Sequence, residues 1–355
     1  MNIKSLLLGS AAALAAVSGA QAADAIVAAE PEPMEYVRVC DAFGTGYFYI
    51  PGTETCLKIG GYVRFQTNFG PDEDLRGSSR GRGTSDWDTF TRGQLQFDAK
   101  NDTELGTLES TIVLQTNADQ AGNSGSTFLD TASFKIAGFK FGYYYSWWDD
   151  GIAGETDVLQ TRSLFNSVSY TYDGGAFKAG ISVDELEGIG RTGLVLGALP
   201  NNFTRKDNGL GVAGMLSGSV GGVTATLLGG YDTEREEGAI RAILTAAIGS
   251  GTLNLAGIYA TDPNVYYNES EWTVAASYEF KATDKLTITP AAQYFSDFAF
   301  INGVDAWRVG LTVGYKITAG LKALATVQYQ DVDSTPGFQV GGNETTGFLR
   351  LQRDF

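Results

Sequence analysis

The sequence predicts an all-β fold: a transmembrane antiparallel β-barrel of about 16 strands, with short turns at one end and long loops at the other. Three observations lead to this prediction. Runs of alternating apolar and polar residues recur along the chain, short and long connections alternate between them, and the chain ends on such a run with an aromatic, Phe355. Residues two apart share a face of a strand, so each run has one apolar and one polar face.

The closing run, residues 347–355, separates clearly into two faces. Leu349, Leu351 and Phe355 lie on the apolar face with Arg353 as the one exception, and Arg350, Gln352 and Asp354 lie on the other. The last strand of an outer-membrane barrel pairs with the first, and an aromatic residue anchors its end at the lipid–water boundary. A soluble protein has no comparable reason to end this way.

Alternating runs can be counted from residue 56 to the C-terminus, and their number is even, as in bacterial barrels. We predict strands at 56–68, 91–100, 107–116, 127–136, 139–146, 166–172, 176–183, 209–219, 223–231, 239–248, 252–261, 271–280, 285–296, 305–317, 321–330 and 347–355. A soluble β-propeller is the structural alternative. It would repeat every 40–50 residues or so, and the sequence has no such repeat.

The connections alternate in length. Turn-forming segments occupy 137–138, 173–175, 221–222, 249–251 and 281–284, and long polar segments occupy 70–91, 117–126, 147–165, 184–208 and 331–346. Short turns on one side and long loops on the other are typical of an outer-membrane barrel, with the periplasm on the short side.

The amino-acid composition excludes several classes of protein and of catalytic site. A mean hydropathy of −0.08 over 355 residues, without a long apolar run after the N-terminus, argues against a helical membrane protein. The chain contains no histidine, which excludes Ser-His and Cys-His nucleophilic sites and nearly all zinc sites. No sequence motif indicates a cofactor.

The N-terminus predicts export. Residues 1–22 read as a signal peptide, with Lys4, an apolar segment and an Ala-x-Ala site ending at Ala22. Its removal changes the formal charge from −16 to −17, and such acidity disfavours nucleic acid as a partner. We expect residues 23–55 to form a periplasmic segment before a barrel at 56–355.

Two cysteines, Cys40 and Cys56, lie in the exported part. In an oxidising compartment the expected state is one disulfide closing a short loop, with two free thiols as the alternative. The chain has no Cys-x-x-Cys motif, which argues against redox catalysis.

Several stretches resemble a known family. The segments at 35–41 (EYVRVCD), 46–56, 60–64 and 145–151 (YSWWDDG), together with the closing run, resemble alphaproteobacterial porins of the Brucella–Rhizobium type. The resemblance covers essentially the whole mature chain. It implies a sixteen-stranded trimeric diffusion porin whose third external loop folds into the pore.

The loop after the fifth strand is the candidate constriction. It carries four carboxylates within nine residues, Asp149, Asp150, Glu155 and Asp157, with Gly151 and Gly154 for bending. Charges at the narrowest point of a pore set the field that a solute crosses. A solvated acidic loop and a glycosidase-like carboxylate pair are the alternatives.

The opposing charge is expected from arginines on the polar faces of strands: Arg64, Arg92, Arg241, Arg308 and Arg350. Closure would place Arg64 and Arg350 on neighbouring strands, with Arg92 beside them. The alternative for each arginine is a local ion pair.

We therefore expect an integral outer-membrane porin for passive diffusion of small hydrophilic solutes and ions, with no enzymatic activity and no cofactor. Expected partners are outer-membrane lipid, lipopolysaccharide, the barrel assembly machinery and two further copies in a homotrimer. A channel preferring one solute class, such as sugars, is the closest alternative. An outer-membrane enzyme and a soluble secreted β-protein are the others.

Overall fold

The computed structural model describes residues 37–70, 87–119, 127–187, 208–334 and 341–355. The expected signal peptide at 1–22 lies outside these residues. The chain divides into two units, Met1–Arg38 and Val39–Phe355, and all strands described below belong to the second.

The described residues contain seventeen strands. They are β1 (Phe48–Tyr49), β2 (Cys56–Phe69), β3 (Trp87–Thr103), β4 (Gly106–Asp119), β5 (Thr127–Ile136), β6 (Phe139–Tyr145), β7 (Leu164–Asp173), β8 (Phe177–Glu185), β9 (Leu210–Val220), β10 (Val223–Asp232), β11 (Glu237–Ile248), β12 (Gly251–Ala260), β13 (Ser270–Lys281), β14 (Leu286–Phe298), β15 (Ala306–Thr318), β16 (Leu321–Val332) and β17 (Gly342–Asp354). Every one of the sixteen predicted runs corresponds to one of β2–β17.

Strands β2–β17 form a closed antiparallel barrel. Each pairs with the next along the chain, and β17 pairs back to β2 from Gly347↔Phe69 to Asp354↔Tyr62. Closure extends to the last residue: Phe355 N donates to Gly61 O at 3.0 Å, and Gly61 N donates to Phe355 O at 3.1 Å. The predicted closing role of the C-terminal run is confirmed.

The outer surface is apolar. On β15, Trp307, Val309 and Leu311 are 42%, 42% and 39% exposed, whereas Thr312 on the opposite face is buried. The same alternation repeats around the barrel, which is the arrangement a lipid-exposed barrel requires. Among the residues described here, no helix is long and apolar enough to cross a membrane.

The two ends of the barrel differ as predicted. Tight turns join the strands at one end, as at Ala137–Gly138, where both residues have positive φ angles of 50° and 85°. Such angles match a type I′ hairpin. Longer connections lie at the other end, apart from the four residues at 233–236 between β10 and β11.

On one side of the barrel the interior differs from the prediction of polar, small or charged inward faces. On β9–β12 the inward residues include Met215, Leu228 and Ile258, which are buried with the aromatic rings of Trp148, Phe165 and Tyr266. The connection between β6 and β7 covers this part of the wall, so its side chains form a hydrophobic core inside the barrel instead of lining water.

Residues 39–55, directly before the barrel, are fixed to its short-turn end. Cys40 and Cys56 form the predicted disulfide, and β1 pairs with the start of β2 through Phe48↔Leu57 and Tyr49↔Cys56. Tyr47 is buried beside the disulfide, with the ammonium groups of Lys58 and Lys100 each 5.8 Å from its ring centroid.

Candidate pore constriction

Residues 146–163, here called the inner loop, leave the wall between β6 and β7 and turn into the barrel. The base of the loop is closed by a bond from Ser146 N to Ser163 O at 2.6 Å. Ser146 Oγ also accepts from Trp148 N at 3.2 Å and caps the short 3-10 turn Trp147–Asp149. The chain is therefore redirected inward within one turn.

Apolar burial holds three side chains of the loop. The side chains of Trp148, Ile152 and Leu159 lie in the interior core, and the rings of Trp148 and Tyr266 have centroids 5.5 Å apart. Full burial of large apolar side chains contributes about 1.5–3 kcal/mol each. This explains why the loop lies against β9–β12 and not in the open lumen.

Arg241 on β11 lies beneath the loop. Its guanidinium is fully buried and donates to three loop carbonyls: Trp147 O at 3.0 Å, Trp148 O at 2.9 Å and Leu159 O at 2.9 Å. It also lies 5.0 Å from the Trp148 ring. The sequence placed Arg241 on the wet pore wall; the structure places it under the loop, because Leu228 and Ile258 flank it across the strands.

The second half of the loop is held by polar side chains from β14–β16. Gln293 bonds both backbone groups of Val158, Thr312 Oγ1 accepts from Glu155 N at 3.1 Å, and Gln328 donates to Glu155 O. Arg308 Nη1 donates to Thr156 O at 3.2 Å, so this arginine also supports the loop.

The loop approaches the wall closely where β15 has no side chain. A Cβ atom at Gly310 would overlap the side chain of Thr156, which is fully buried. A second connection, residues 261–269, supports the end of the loop: Thr161 N donates to Tyr266 O at 3.0 Å, and Thr161 Oγ1 to Asn268 Oδ1 at 2.6 Å.

Glu155 is at the tip of the loop, and its carboxylate reaches across to Arg350 on β17, with Oε1 3.5 Å from Nη1. The three other predicted carboxylates lie nearer the base of the loop. Asp149 accepts from Ser163 Oγ at 2.7 Å, and Asp157 accepts from Ile152 N at 3.5 Å.

Two loop carboxylates have shifted pKa values. Burial raises the pKa of Asp157 to about 6, against the opposing effect of its backbone hydrogen bonds and of Arg241. Burial also raises the pKa of Asp150, again opposed by Arg241. Both shifts follow from placing carboxylates inside the barrel, where water is partly excluded.

Three of the predicted arginines come together opposite the loop tip. Arg64 and Arg92 are direct partners in the β2–β3 register, and Arg350 is paired with Gln66, two residues from Arg64. The structure thus groups Arg64, Arg92 and Arg350, and separates Arg241 and Arg308 from them.

Sequence reasoning missed the amide and hydroxyl groups that hold the loop, Gln293, Gln328 and Thr312. Each is on a polar strand face, as are many other Gln and Thr residues, and no local signal distinguishes them. In the residues that the structure describes, no group of three or more Asp, Glu or Cys side chains could hold a metal ion.

A closed barrel with an apolar outer band and a charged loop inside it defines an outer-membrane channel. The family model for the porin subfamily matches residues 24–349. The chain belongs to this porin subfamily. It is an integral outer-membrane protein that forms a water-filled channel for diffusion of small hydrophilic solutes.

Two relatives extend over nearly the whole chain. Outer membrane protein IIIA of Rhizobium leguminosarum bv. viciae is 51% identical over 350 residues, covering 95% of this chain and 93% of that protein. Porin Omp2b of Brucella neotomae is 36% identical over 384 residues, covering 100% of both. The resemblance inferred from the sequence is confirmed.

Solved structures share the fold at low identity. The outer membrane channel DcaP of Acinetobacter baumannii superimposes with a TM-score of 0.64 at 13% identity, covering 86% of this chain and 99% of its own. OmpT of Vibrio cholerae, in its trimer form, superimposes with a TM-score of 0.61 at 13% identity, covering 85% of this chain and 100% of its own.

Proposed function

We propose that the inner loop and the arginines of β2, β3 and β17 form the pore constriction and create a transverse electric field across it. The observation that carries the proposal is the approach of Glu155 Oε1 to Arg350 Nη1 at 3.5 Å, between the loop tip and the opposite wall. Asp149, Asp150 and Asp157 add negative charge on the loop side. Arg64 and Arg92 add positive charge on the wall side.

The field follows from Coulomb's law in a confined space. Unit charges 4 Å apart interact by about 1 kcal/mol in water and about 4 kcal/mol near a protein surface. A dipolar solute crossing between the two walls is therefore oriented, while small ions of either sign pass. The barrel excludes large solutes by size, and the charges select among small solutes by their charge and dipole.

The test is the reversal potential of the purified porin in a planar bilayer under a KCl gradient. Glu155→Gln removes the charge at the loop tip, so we expect a shift towards anion selectivity with little change in stability. Neutralising Asp149, Asp150, Glu155 and Asp157 together should produce a larger shift.

Glu185→Gln is the matched control, because Glu185 is exposed at the end of β8 on the outward-facing register and bonds Asn166 at 3.0 Å. If the fourfold variant has a folded barrel and an unchanged reversal potential, the loop does not form the constriction.

The proposal includes a homotrimer. It is supported by the trimer form of OmpT and by a set of aromatic rings on the outward face of β5–β7. Phe134 and Phe141 stack with centroids 5.1 Å apart, and Phe139 lies 4.9 Å from Tyr170. The mass of the protein–detergent complex tests this; a monomeric mass under conditions that keep the barrel folded would contradict it.

We further infer that residues 1–22 are removed on export and that residues 23–55 lie in the periplasm. Lipid, lipopolysaccharide and the barrel assembly machinery are the partners that an integral outer-membrane barrel requires. The absence of histidine and the channel character of the relatives support a transport role without enzymatic activity. A mature protein that does not begin at Ala23 would contradict the processing step.

A further inference from the structure

The three grouped arginines share one arrangement, and we call them the arginine ladder. In each, Nε donates to the side-chain amide oxygen of the residue directly opposite on the neighbouring strand. The pairs are Arg64 with Gln352 at 2.8 Å, Arg350 with Gln66 at 2.6 Å and Arg92 with Asn117 at 2.8 Å. A guanidinium held through Nε keeps its two terminal nitrogens for another partner.

Each ladder arginine also lies over an aromatic ring two residues earlier on its own strand. The distances from the guanidinium carbon to the ring centroid are 4.7 Å for Arg64 over Tyr62, 4.2 Å for Arg350 over Phe348 and 5.5 Å for Arg92 over Phe90. Stacking restricts the tilt of the guanidinium plane. Together with the Nε bond it fixes the orientation of the group.

The two glutamines are themselves oriented. Gln352 Nε2 donates to Asp354 Oδ1 at 2.6 Å, and Gln66 Nε2 donates to Asn68 Oδ1 at 2.6 Å. Each amide oxygen is therefore turned towards its arginine. Such a chain of hydrogen bonds rigidifies all its members, so the ladder is positioned before any solute arrives.

The charge of the ladder is only partly neutralised. Arg64 and Arg92 are direct cross-strand partners, an arrangement of like charges that destabilises a sheet. Within the described residues, the one ion pair formed by the ladder joins Arg350 to Glu155. The Nε groups of the three arginines bond neutral amides, where carboxylates would have balanced the charge.

The ladder borders open space. Arg64 and Arg350 line a cavity of about 690 Å³ that extends from Glu155 at the loop tip to Lys316 and Lys322 at the short-turn end. A solute in this cavity can reach Arg64 and Arg350 without displacing a buried side chain.

We propose that the arginine ladder binds the carboxylate group of small organic anions in transit. Oriented guanidinium groups match the planar, two-oxygen geometry of a carboxylate better than point charges do. The contact of Glu155 with Arg350 is an intramolecular example of this chemistry. The proposal deepens the proposed function and rests on it, because it requires the ladder to border the constriction.

The experiment measures block of KCl current through the reconstituted porin by succinate added to the periplasmic side. Butane-1,4-diol, which has the same chain length without charge, is the solute control. We expect saturable block by succinate and none by the diol. Block that rises linearly with succinate, or is equal for the diol, would overturn the proposal.

Arg64→Lys/Arg92→Lys keeps both charges but loses the Nε bonds and the paired terminal nitrogens. Loss of one charge-assisted hydrogen bond corresponds to about tenfold in affinity, and we expect at least that increase in the succinate concentration for half-block. Gln352→Leu, which leaves every arginine in place, should weaken block in the same direction. If succinate blocks both variants as strongly as the wild type, the orientation of the guanidinium groups does not contribute to succinate binding.

Two further readings separate the possible failures. Because the lysine variant retains both positive charges of the wall, a loss of succinate affinity in it tests the oriented guanidinium groups, whereas the reversal potential of the fourfold loop variant tests the field separately. Inorganic phosphate is the second probe. Phosphate block as strong as succinate block would overturn the assignment to carboxylates in favour of oxyanions in general.

Discussion

The side chain of Gln293 pairs with the peptide unit of Val158 as a neighbouring strand would. Gln293 Oε1 accepts from Val158 N at 2.7 Å, and Gln293 Nε2 donates to Val158 O at 2.9 Å. Nε2 also donates to Thr273 Oγ1 at 2.9 Å. A loop that crosses the interior of a barrel has no strand beside it, so side chains on the wall must satisfy its backbone groups.

Gln293→Leu should therefore release the middle of the inner loop. Each buried backbone group left without a partner costs about 1–3 kcal/mol, and two are affected. We expect faster hydrogen exchange at residues 155–161 and greater noise in the single-channel current. Gln96→Leu is the control, because Gln96 bonds Asp98 on its own strand. Equal exchange rates in the two variants would contradict the role of Gln293.

Arg241→Met should have a larger effect than Arg308→Met. Arg241 is fully buried, donates to three loop carbonyls and contacts Trp148, whereas Arg308 is partly exposed and bonds the loop at Thr156 O. Hydrogen bonds to charged groups contribute about 1.5–3 kcal/mol each. We expect Arg241→Met to expose the loop to proteolysis with the barrel intact, as judged by heat-modifiable gel migration. Greater protease sensitivity in Arg308→Met would contradict this ranking.

The strands could be predicted because their signal is local. Alternation with period two marks a membrane strand wherever one face meets lipid. The predicted strands are too short where the observed strands extend beyond the apolar band. Strand β17, for example, begins at Gly342 and not at residue 347. There Asn343 and Glu344 are both polar, so no alternation remains to detect.

The roles of the arginines could be predicted only in part. Arg64 and Arg241 both lie on polar strand faces, and the sequence treats them alike. Arg241 is buried because Leu228 and Ile258 flank it and residues 147–159 cover it. That covering segment is more than eighty residues away in the chain, and periodicity carries no information over such a separation.

Asp157 should make closure of the inner loop depend on pH. Burial raises its pKa from the usual 3.8 to about 6, so the closed loop binds a proton more tightly than a displaced, solvated loop. The resulting stabilisation of the closed loop is complete below about pH 4 and is lost as the pH rises through 6 or so.

The measurement is hydrogen exchange of the inner loop, corrected for the intrinsic effect of pH. Loop opening should increase between pH 4 and pH 6 in the wild type and should increase less in Asp157→Asn, in which burial still raises the pKa of Asp150. Asp149→Asn, on the same loop, should retain the wild-type dependence. Identical pH profiles for the wild type and Asp157→Asn would exclude Asp157 as the titrating group.

The Cys40–Cys56 disulfide should stabilise the segment before the barrel and leave the constriction unaffected. The two cysteines are 16 residues apart, and closing a loop of that length contributes about 3 kcal/mol. Without the disulfide, β1 is joined to β2 by the pairs Phe48↔Leu57 and Tyr49↔Cys56, a ladder too short to be stable alone. We therefore expect a reductant, or Cys40→Ser/Cys56→Ser, to make Phe48 and Tyr49 accessible to chymotrypsin.

The same treatments should leave the reversal potential unchanged. Tyr47 contacts the inward lysines Lys58 and Lys100, which lie far along β2 and β3 from Arg64 and Arg92. A reductant that altered ion selectivity in the wild type, but not in the double serine variant, would place this segment in the conduction path.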